Sequence, residues 1–209
     1  MKKLLLTSGG MQVVDEILKL LPKSPNLIKI AHITTATNVF AYAPWMKKDK
    51  MKMLEFGFQV EDIDIKGKTK KQLNKKLKGK DIIYVQGGDP YYLLKQVKQS
   101  GFDEVVKKLI SKGVIYIGAS AGSYIACPTI EMALWKKPKR PRYGLKTDEA
   151  AMNLVPFLIS VHYEPKYKKV IKKCASGTNY PVKILTDYQA ILIKNGKAQL
   201  VGKGKEIKL

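Results

Sequence analysis

Ser120 sits between small residues in Gly118-Ala119-Ser120-Ala121-Gly122, and the chain holds only two histidines, His32 and His162. Before the serine, Val114-Ile115-Tyr116-Ile117 has the β-branched and aromatic make-up of a short buried strand. After it, Ser123 to Cys127 is mostly apolar and reads as the start of a helix that stops at Pro128. A serine on a tight turn between strand and helix is the layout of a nucleophile elbow. There the hydroxyl is exposed on a strained turn, so the residues two before and two after it must be small. The start of the following helix would offer backbone N–H groups and its positive dipole end to a developing oxyanion. Glycine–serine turns are also common without chemistry, so the context must decide.

A serine nucleophile needs a base. His32 lies mid-strand in Ile28-Lys29-Ile30-Ala31-His32-Ile33 and reads as a core histidine. His162, in Ser160-Val161-His162-Tyr163-Glu164-Pro165, stands at a strand end downstream of the serine, the order found in α/β serine hydrolases. Imidazole, with an unperturbed pKa of about 6.5, can take up a proton and return it near neutral pH. An oxyanion hole needs a second N–H besides that of Ala121. Gly88, in the glycine loop Gln86-Gly87-Gly88-Asp89, is the candidate, since glycine permits close backbone approach.

The elements that must position these groups follow from periodicity. Strands are expected at Lys3–Thr7, Leu27–Thr34, Gln59–Ile65, Asp81–Val85, Val114–Ile117 and Leu154–Val161. Further strands are expected at Val182–Thr186, Ala190–Lys194 and Ala198–Val201, the last two joined by an Asn195-Gly196 hairpin turn. Helices are expected at Met11–Leu21, within Val39–Phe56, and at Thr69–Leu77, Tyr91–Gln99, Phe102–Lys112 and Lys166–Lys173. Glu131 to Glu149 has weak patterning, many basic residues and two prolines, and reads as a surface loop. Strands alternating with helices predict an α/β fold: a doubly wound, mostly parallel sheet flanked by helices, with a C-terminal antiparallel hairpin. In such sheets functional loops gather at the carboxyl ends of the strands, where Ser8–Gly10, Gly87-Gly88 and Gly118–Gly122 all fall.

With 209 residues and neither linker nor repeat, one domain spanning 1–209 is expected. The net charge of +22 comes mostly from lysines spread along the chain. Without an interleaved aromatic platform they read as a solvated surface with generic polyanion affinity, not a dedicated nucleic-acid site. Cys127 and Cys174 are far apart and lack metal-ligand spacing, so neither a metal nor a disulfide framework is expected. The apolar run in Met1-Lys2-Lys3-Leu4-Leu5-Leu6 is too short for a signal peptide, which points to a cytoplasmic protein without membrane attachment.

Four segments resemble peptidase E, the serine α-aspartyl dipeptidase family (peptidase S51), and its cyanophycinase relatives: Tyr84–Leu94, Tyr116–Ile130, Asn153–Tyr163 and Leu185–Ile193. The serine-alanine-glycine turn followed by Ala126-Cys127-Pro128-Thr129-Ile130 is far more specific than the elbow pattern alone. The resemblance implies a class I glutamine amidotransferase-like fold, Ser120 as nucleophile, His162 as general base, and Gly88 with Ala121 as oxyanion donors. It also implies a cofactor-free hydrolase of short peptides such as dipeptides with an N-terminal Asp; a monomer or homodimer is expected.

Two departures stand out. The family's aspartate a few residues beyond Pro-Thr-Ile is replaced by Trp135, so Glu131 is expected to be the triad acid, with Asp148, Glu149 and Glu164 in reserve. The family's arginine segment after the histidine is absent. Lys166, Lys168 or Lys169 could offer a positive charge instead, and the expected substrate contacts are Gly87, Asp89, Lys166 and Lys169. The alternative reading is an inactive relative that binds a ligand or polyanion. A glutamine amidotransferase would need a cysteine at the elbow, and Cys127 comes seven residues late.

Overall fold

The structure, a computed structural model, describes residues 2–209. In chain order the elements are β1 (Lys3–Thr7), α1 (Val14–Leu18), β2 (Lys29–Ile33), α2 (Pro44–Glu55), β3 (Gln59–Ile63) and α3 (Lys70–Leu77). Next come β4 (Ile82–Val85), α4 (Pro90–Ser100), α5 (Phe102–Ser111), β5 (Ile115–Ala119) and α6 (Ala121–Tyr124). The chain ends with β6 (Leu158–Ser160), α7 (Lys168–Ala175), β7 (Val182–Ile184), β8 (Gln189–Lys194) and β9 (Lys197–Gly202).

Seven strands form one sheet in the order β3-β2-β4-β5-β1-β8-β9. The first five run parallel, while β8 is antiparallel to β1 and β9 to β8. The expected mostly parallel sheet with a C-terminal antiparallel hairpin is therefore present. Successive residues of β1 serve opposite faces, as the pleat requires. Leu4 and Leu6 join the core under α3, α4 and α5, whereas Leu5 packs with Val14 and Ile17 of α1 and Met53 of α2. Burying each such side chain contributes about 1.5–3 kcal/mol.

The second sheet, β6 paired in parallel with β7, is short but decides the site. A longer strand over Leu154–Val161 does not form, because Met152, Asn153 and Leu154 donate their N–H groups to the carbonyls of Ile125, Cys127 and Ala126. Over Ser123–Cys127 the expected helix gives way to turns, with Ala126 N–H donating to Ser123 O and Cys127 N–H to Tyr124 O. The helix instead begins directly after the serine and lasts one turn, Ala121–Tyr124. The Met11–Leu21 helix divides into a 3-10 turn, Gly10–Val13, and the short α1, tightened at its start by Gln12 N–H donating to Gly9 O. The expected surface loop over Glu131–Glu149 begins instead with a 3-10 turn, Glu131–Leu134, that buries Met132 and Ala133, and residues 136–149 carry no helix or strand. They are tied down by Tyr91 Oη donating to Thr147 O and by Lys98 pairing with Glu149.

Candidate active site

The carboxyl ends of β4, β5 and β1 lie side by side, so the loops after them converge. Ser120 follows β5 and sits at φ 48°, ψ −103°, a left-handed conformation that costs a non-glycine residue of order 1–3 kcal/mol. The turn is held because Ser120 N–H donates to Thr7 O at 3.0 Å and Ser123 Oγ donates to Thr7 O and Gly118 O, each at 2.8 Å. The elbow glycines are steric requirements. A Cβ on Gly118 would lie 2.6 Å from the backbone of Gly122, and one on Gly122 would lie 2.2 Å from Val85 O.

His162 comes from the other sheet. Ser160 and Ile184 pair at the ends of β6 and β7, and Tyr163 N–H donates to Leu185 O at 2.9 Å. This ladder brings His162, two residues past β6, alongside Asp187, three residues past β7. Asp187 also stands two residues before β8, which begins at the carboxyl end of β1 because it runs antiparallel to it (Thr7 opposite Ala190). Topology thus delivers the aspartate to the serine's end of the sheet.

The side chains form a line. His162 Nε2 is 2.8 Å from Ser120 Oγ, and His162 Nδ1 is 2.5 Å from Asp187 Oδ1. Ser8, in the loop after β1, donates its hydroxyl to Asp187 Oδ1 at 2.8 Å and accepts the His162 backbone N–H at 2.7 Å. His162, like Ser120, has a positive φ, 53°. Hydrogen bonding from His162 holds the Asp187 carboxyl below the usual carboxylate range, against the opposing effect of partial burial. The ammonium of Lys136 donates to the carbonyls of Val161 and His162, and burial pulls its pKa down to about 8.

The residues expected to hold an oxyanion are constrained by their backbone surroundings. Gly87 approaches Ser120 so closely that a Cβ there would lie 3.1 Å from the serine Cβ. Gly88 could carry no side chain either, because a Cβ would meet Ala36 O at 2.2 Å. Among the described residues, the N–H groups of Gly88 and Ala121 donate to no protein acceptor, which leaves both free for a ligand. With α6 only four residues long, any anion stabilisation here comes from these local N–H groups and not from a long helix dipole.

The structure brings two of the expected catalytic residues, Ser120 and His162, within hydrogen-bond distance, and leaves the expected acid apart from them. Glu131 lies in a 3-10 turn (Glu131–Leu134), with Oε1 buried and without a hydrogen-bond partner among the described residues; the carboxylate against His162 is Asp187. The reserve acids are engaged elsewhere. Glu149 pairs with Lys98, Glu164 pairs with Lys166, and Asp148 is exposed in the basic loop. The signal for Asp187 was in Leu185–Ile193, the segment that carries the family resemblance. Of the expected substrate contacts, Gly87 accepts the Trp45 indole N–H through its carbonyl. Asp89 caps α4 by accepting from Tyr91 N–H and Tyr92 N–H, and its other oxygen lies 3.7 Å from Arg140. Lys166 is exposed and paired with Glu164, and Lys169 is exposed on α7. Cys127 is fully buried, with its thiol pushed up to about 12, so it supplies no thiolate nucleophile.

No helix among the described residues is long and apolar enough to cross a membrane. Nor do the described residues contain a group of three or more His, Cys, Asp or Glu side chains able to hold a metal.

Comparison with known proteins shows what the chain as a whole is similar to. An uncharacterized peptidase of Listeria monocytogenes is 30% identical over 202 residues, covering 93% of this chain and 95% of its own. Peptidase E of a Nostoc species is 26% identical over 168 residues, covering 78% of this chain and 66% of the Nostoc protein. Among solved structures, a peptidase E candidate from Listeria monocytogenes superposes with a TM-score of 0.85 at 26% identity, over 98% of this chain and 100% of that one. A peptidase from an acI-B1 Actinobacterium shares the fold, with a TM-score of 0.70 at 15% identity over 97% of this chain and 88% of its own. The sequence matches Peptidase family S51 from residue 4 to residue 201, and the chain is a peptidase belonging to that family.

Proposed function

We propose that this peptidase is a serine-type enzyme that hydrolyses short peptides through a Ser120–His162–Asp187 triad. The observation that carries the reading is the unbroken line of hydrogen bonds from Ser120 Oγ through both imidazole nitrogens to Asp187 Oδ1. Ser120 Oγ attacks the scissile carbonyl carbon while its proton passes to His162 Nε2. Asp187 holds the ring in the tautomer with Nδ1–H and stabilises the imidazolium that forms. The negative oxygen of the tetrahedral intermediate is met by the N–H groups of Gly88 and Ala121, each worth about 10²–10³ in rate. Collapse breaks the C–N bond, and His162 returns the proton to the leaving amine. Water, deprotonated by His162, then attacks the ester carbonyl; the bond to Ser120 Oγ breaks, the acid is released, and His162 returns the proton to Ser120 Oγ.

For the substrate we propose a dipeptide with an N-terminal Asp. Two cations border the site: Lys136, bonded to His162 O, and Arg140, near Asp89 at the start of α4. Both are better placed than the exposed Lys166 and Lys169 to face an acidic side chain. Arg140 also carries the planar guanidinium that suits a carboxylate.

The test is labelling with a small fluorophosphonate, read by intact mass and peptide mapping, followed by a dipeptide screen starting from Asp-Xaa. Modification at Ser120 that disappears in His162→Ala, with Asp-Xaa cleaved in preference to Leu-Xaa, is expected. A folded protein that resists labelling and cleaves no dipeptide overturns the mechanism. Labelling at Ser120 with equal cleavage of Asp-Xaa and Leu-Xaa overturns the substrate alone.

A further inference from the structure

The Gly87–Gly88 peptide is held by a side chain that neither the elbow pattern nor the family resemblance singles out. Trp45, in the first turn of α2, donates its indole Nε1–H to Gly87 O at 3.1 Å. This peptide is trans, since the structure contains no cis bonds. In a planar trans peptide the carbonyl of one residue and the N–H of the next point in opposite directions. A donor fixed on Gly87 O therefore fixes the Gly88 N–H toward the far side of the peptide plane, away from Trp45. A lock is needed because two adjacent glycines have little intrinsic preference among backbone conformations.

The helix bearing Trp45 is itself docked by polar contacts. Asp49 and Met53 are the buried residues of α2, and Asp49 accepts hydrogen bonds from Tyr84 Oη, Gln86 Nε2 and Met11 N–H. Gln86 precedes Gly87, and its Oε1 lies 2.8 Å from Nε2 of the buried His32, whose Nδ1 meets Asp62. Lys50, next along α2, pairs with that same Asp62 at 2.6 Å. The helix and the loop are thus pinned to one hydrogen-bonded network, buried at Asp49, Gln86 and His32 and open to solvent at Asp62. Trp45 is its outermost member, 39% exposed and packed edge-to-face on Phe40 at 5.3 Å.

We infer that Trp45 is a positioning residue of the oxyanion hole: its indole N–H holds the Gly87–Gly88 peptide in the one orientation that presents the Gly88 N–H to the transition state. The inference rests on the proposed role of Gly88 and goes beyond it by naming what prevents that peptide from flipping. With Trp45 in place the hole is formed before substrate arrives. Without the indole donor the peptide samples both orientations, and the flipped one offers a carbonyl oxygen where a donor is needed.

The test compares the parent with Trp45→Phe and with a variant carrying benzothienylalanine at position 45, which keeps the bicyclic shape and replaces N–H by sulfur. The probe is a small fluorophosphonate. Ser120 Oγ bonds to phosphorus, the P–F bond breaks, fluoride leaves, and the hydroxyl proton passes to His162. The phosphoryl oxygen draws on the same hole. Removing the donor is expected to lower the maximal labelling rate about 10–100-fold, since an oxyanion donor is worth about 10²–10³. Half-saturation by the probe should stay within about threefold, since the effect lies on the transition state. The benzothienyl variant keeps the packing, so its slow labelling at an unchanged melting temperature separates orientation from folding even if Trp45→Phe unfolds.

Labelling of both variants at the parental rate overturns the inference. So does weaker half-saturation with an unchanged maximal rate, which would make Trp45 a probe contact. A parent that is not labelled at all, or is labelled equally in Ser120→Ala, overturns the proposed mechanism itself. That failure is distinct from the first two.

Discussion

Replacing Asp187 by Asn separates the proposed triad acid from its rivals by magnitude. Asp187 Oδ1 accepts from His162 Nδ1 and from Ser8 Oγ, and the pair with His162 is nearly half-exposed on both sides. An ion pair so open to solvent contributes about 0–1 kcal/mol to stability, so the variant should unfold close to the parental temperature. Catalysis should behave differently. An asparagine can turn its amide nitrogen toward His162, making Nδ1 the acceptor and moving the ring proton to Nε2, where it faces Ser120 and blocks proton uptake. The expected loss in kcat is about 10⁴-fold, equivalent to about 5.4 kcal/mol. Glu131→Gln alters a carboxylate that makes no hydrogen bond to His162, and it should keep kcat within about twofold of the parent. The assay is dipeptide hydrolysis with fluorophosphonate labelling beside it, and thermal denaturation as the control for folding. A folded Asp187→Asn enzyme within tenfold of the parent, or a Glu131→Gln enzyme as impaired as expected for Asp187→Asn, refutes the assignment of Asp187.

Ser8→Ala should lower kcat about tenfold. It should also cost about 1–3 kcal/mol in a urea titration, because it frees one side of Asp187 and leaves the His162 N–H without its acceptor. Gly122→Ala drives a Cβ to 2.2 Å from Val85 O, a backbone atom that cannot step aside, and should lose at least about 1–3 kcal/mol of stability together with labelling at Ser120. The Asp62 carboxyl is held down to about 2, mainly by its hydrogen bond from His32, from an ordinary value of 3.8. The stability it contributes is therefore present above pH 3.8 and lost as the pH falls toward 2, so Asp62→Asn should lose less stability than the parent between pH 5 and pH 2. Acid titration of the unfolding midpoint checks this, and parallel curves for the two proteins would contradict it.

What could be read from the sequence depended on how local its cause is. The elbow was legible because its requirements lie within five residues: Gly118 and Gly122 leave no space for a Cβ, and Ser120 takes the strained turn they permit. The sheet was legible from alternating strands and helices, and the scarcity of histidines singled out His162 as the candidate base. The carboxylate beside it, Asp187, was not legible, because no local rule selects it. A search outward from Pro128-Thr129-Ile130 finds Glu131, near in sequence but with Oε1 buried and making no hydrogen bond to His162. Asp187 reaches the imidazole only because β6 and β7 pair in parallel and β8 returns antiparallel along β1, and periodicity records neither long-range pairing. The same holds for Trp45, whose aromatic character gave no hint of the carbonyl it holds. His162 Nδ1 requires an acceptor at hydrogen-bond distance, and the chain is free to supply it from any strand end that topology brings there. In this fold three strand ends meet at that point, so Trp135, which stands where the resemblance would place an aspartate, is compatible with a complete triad.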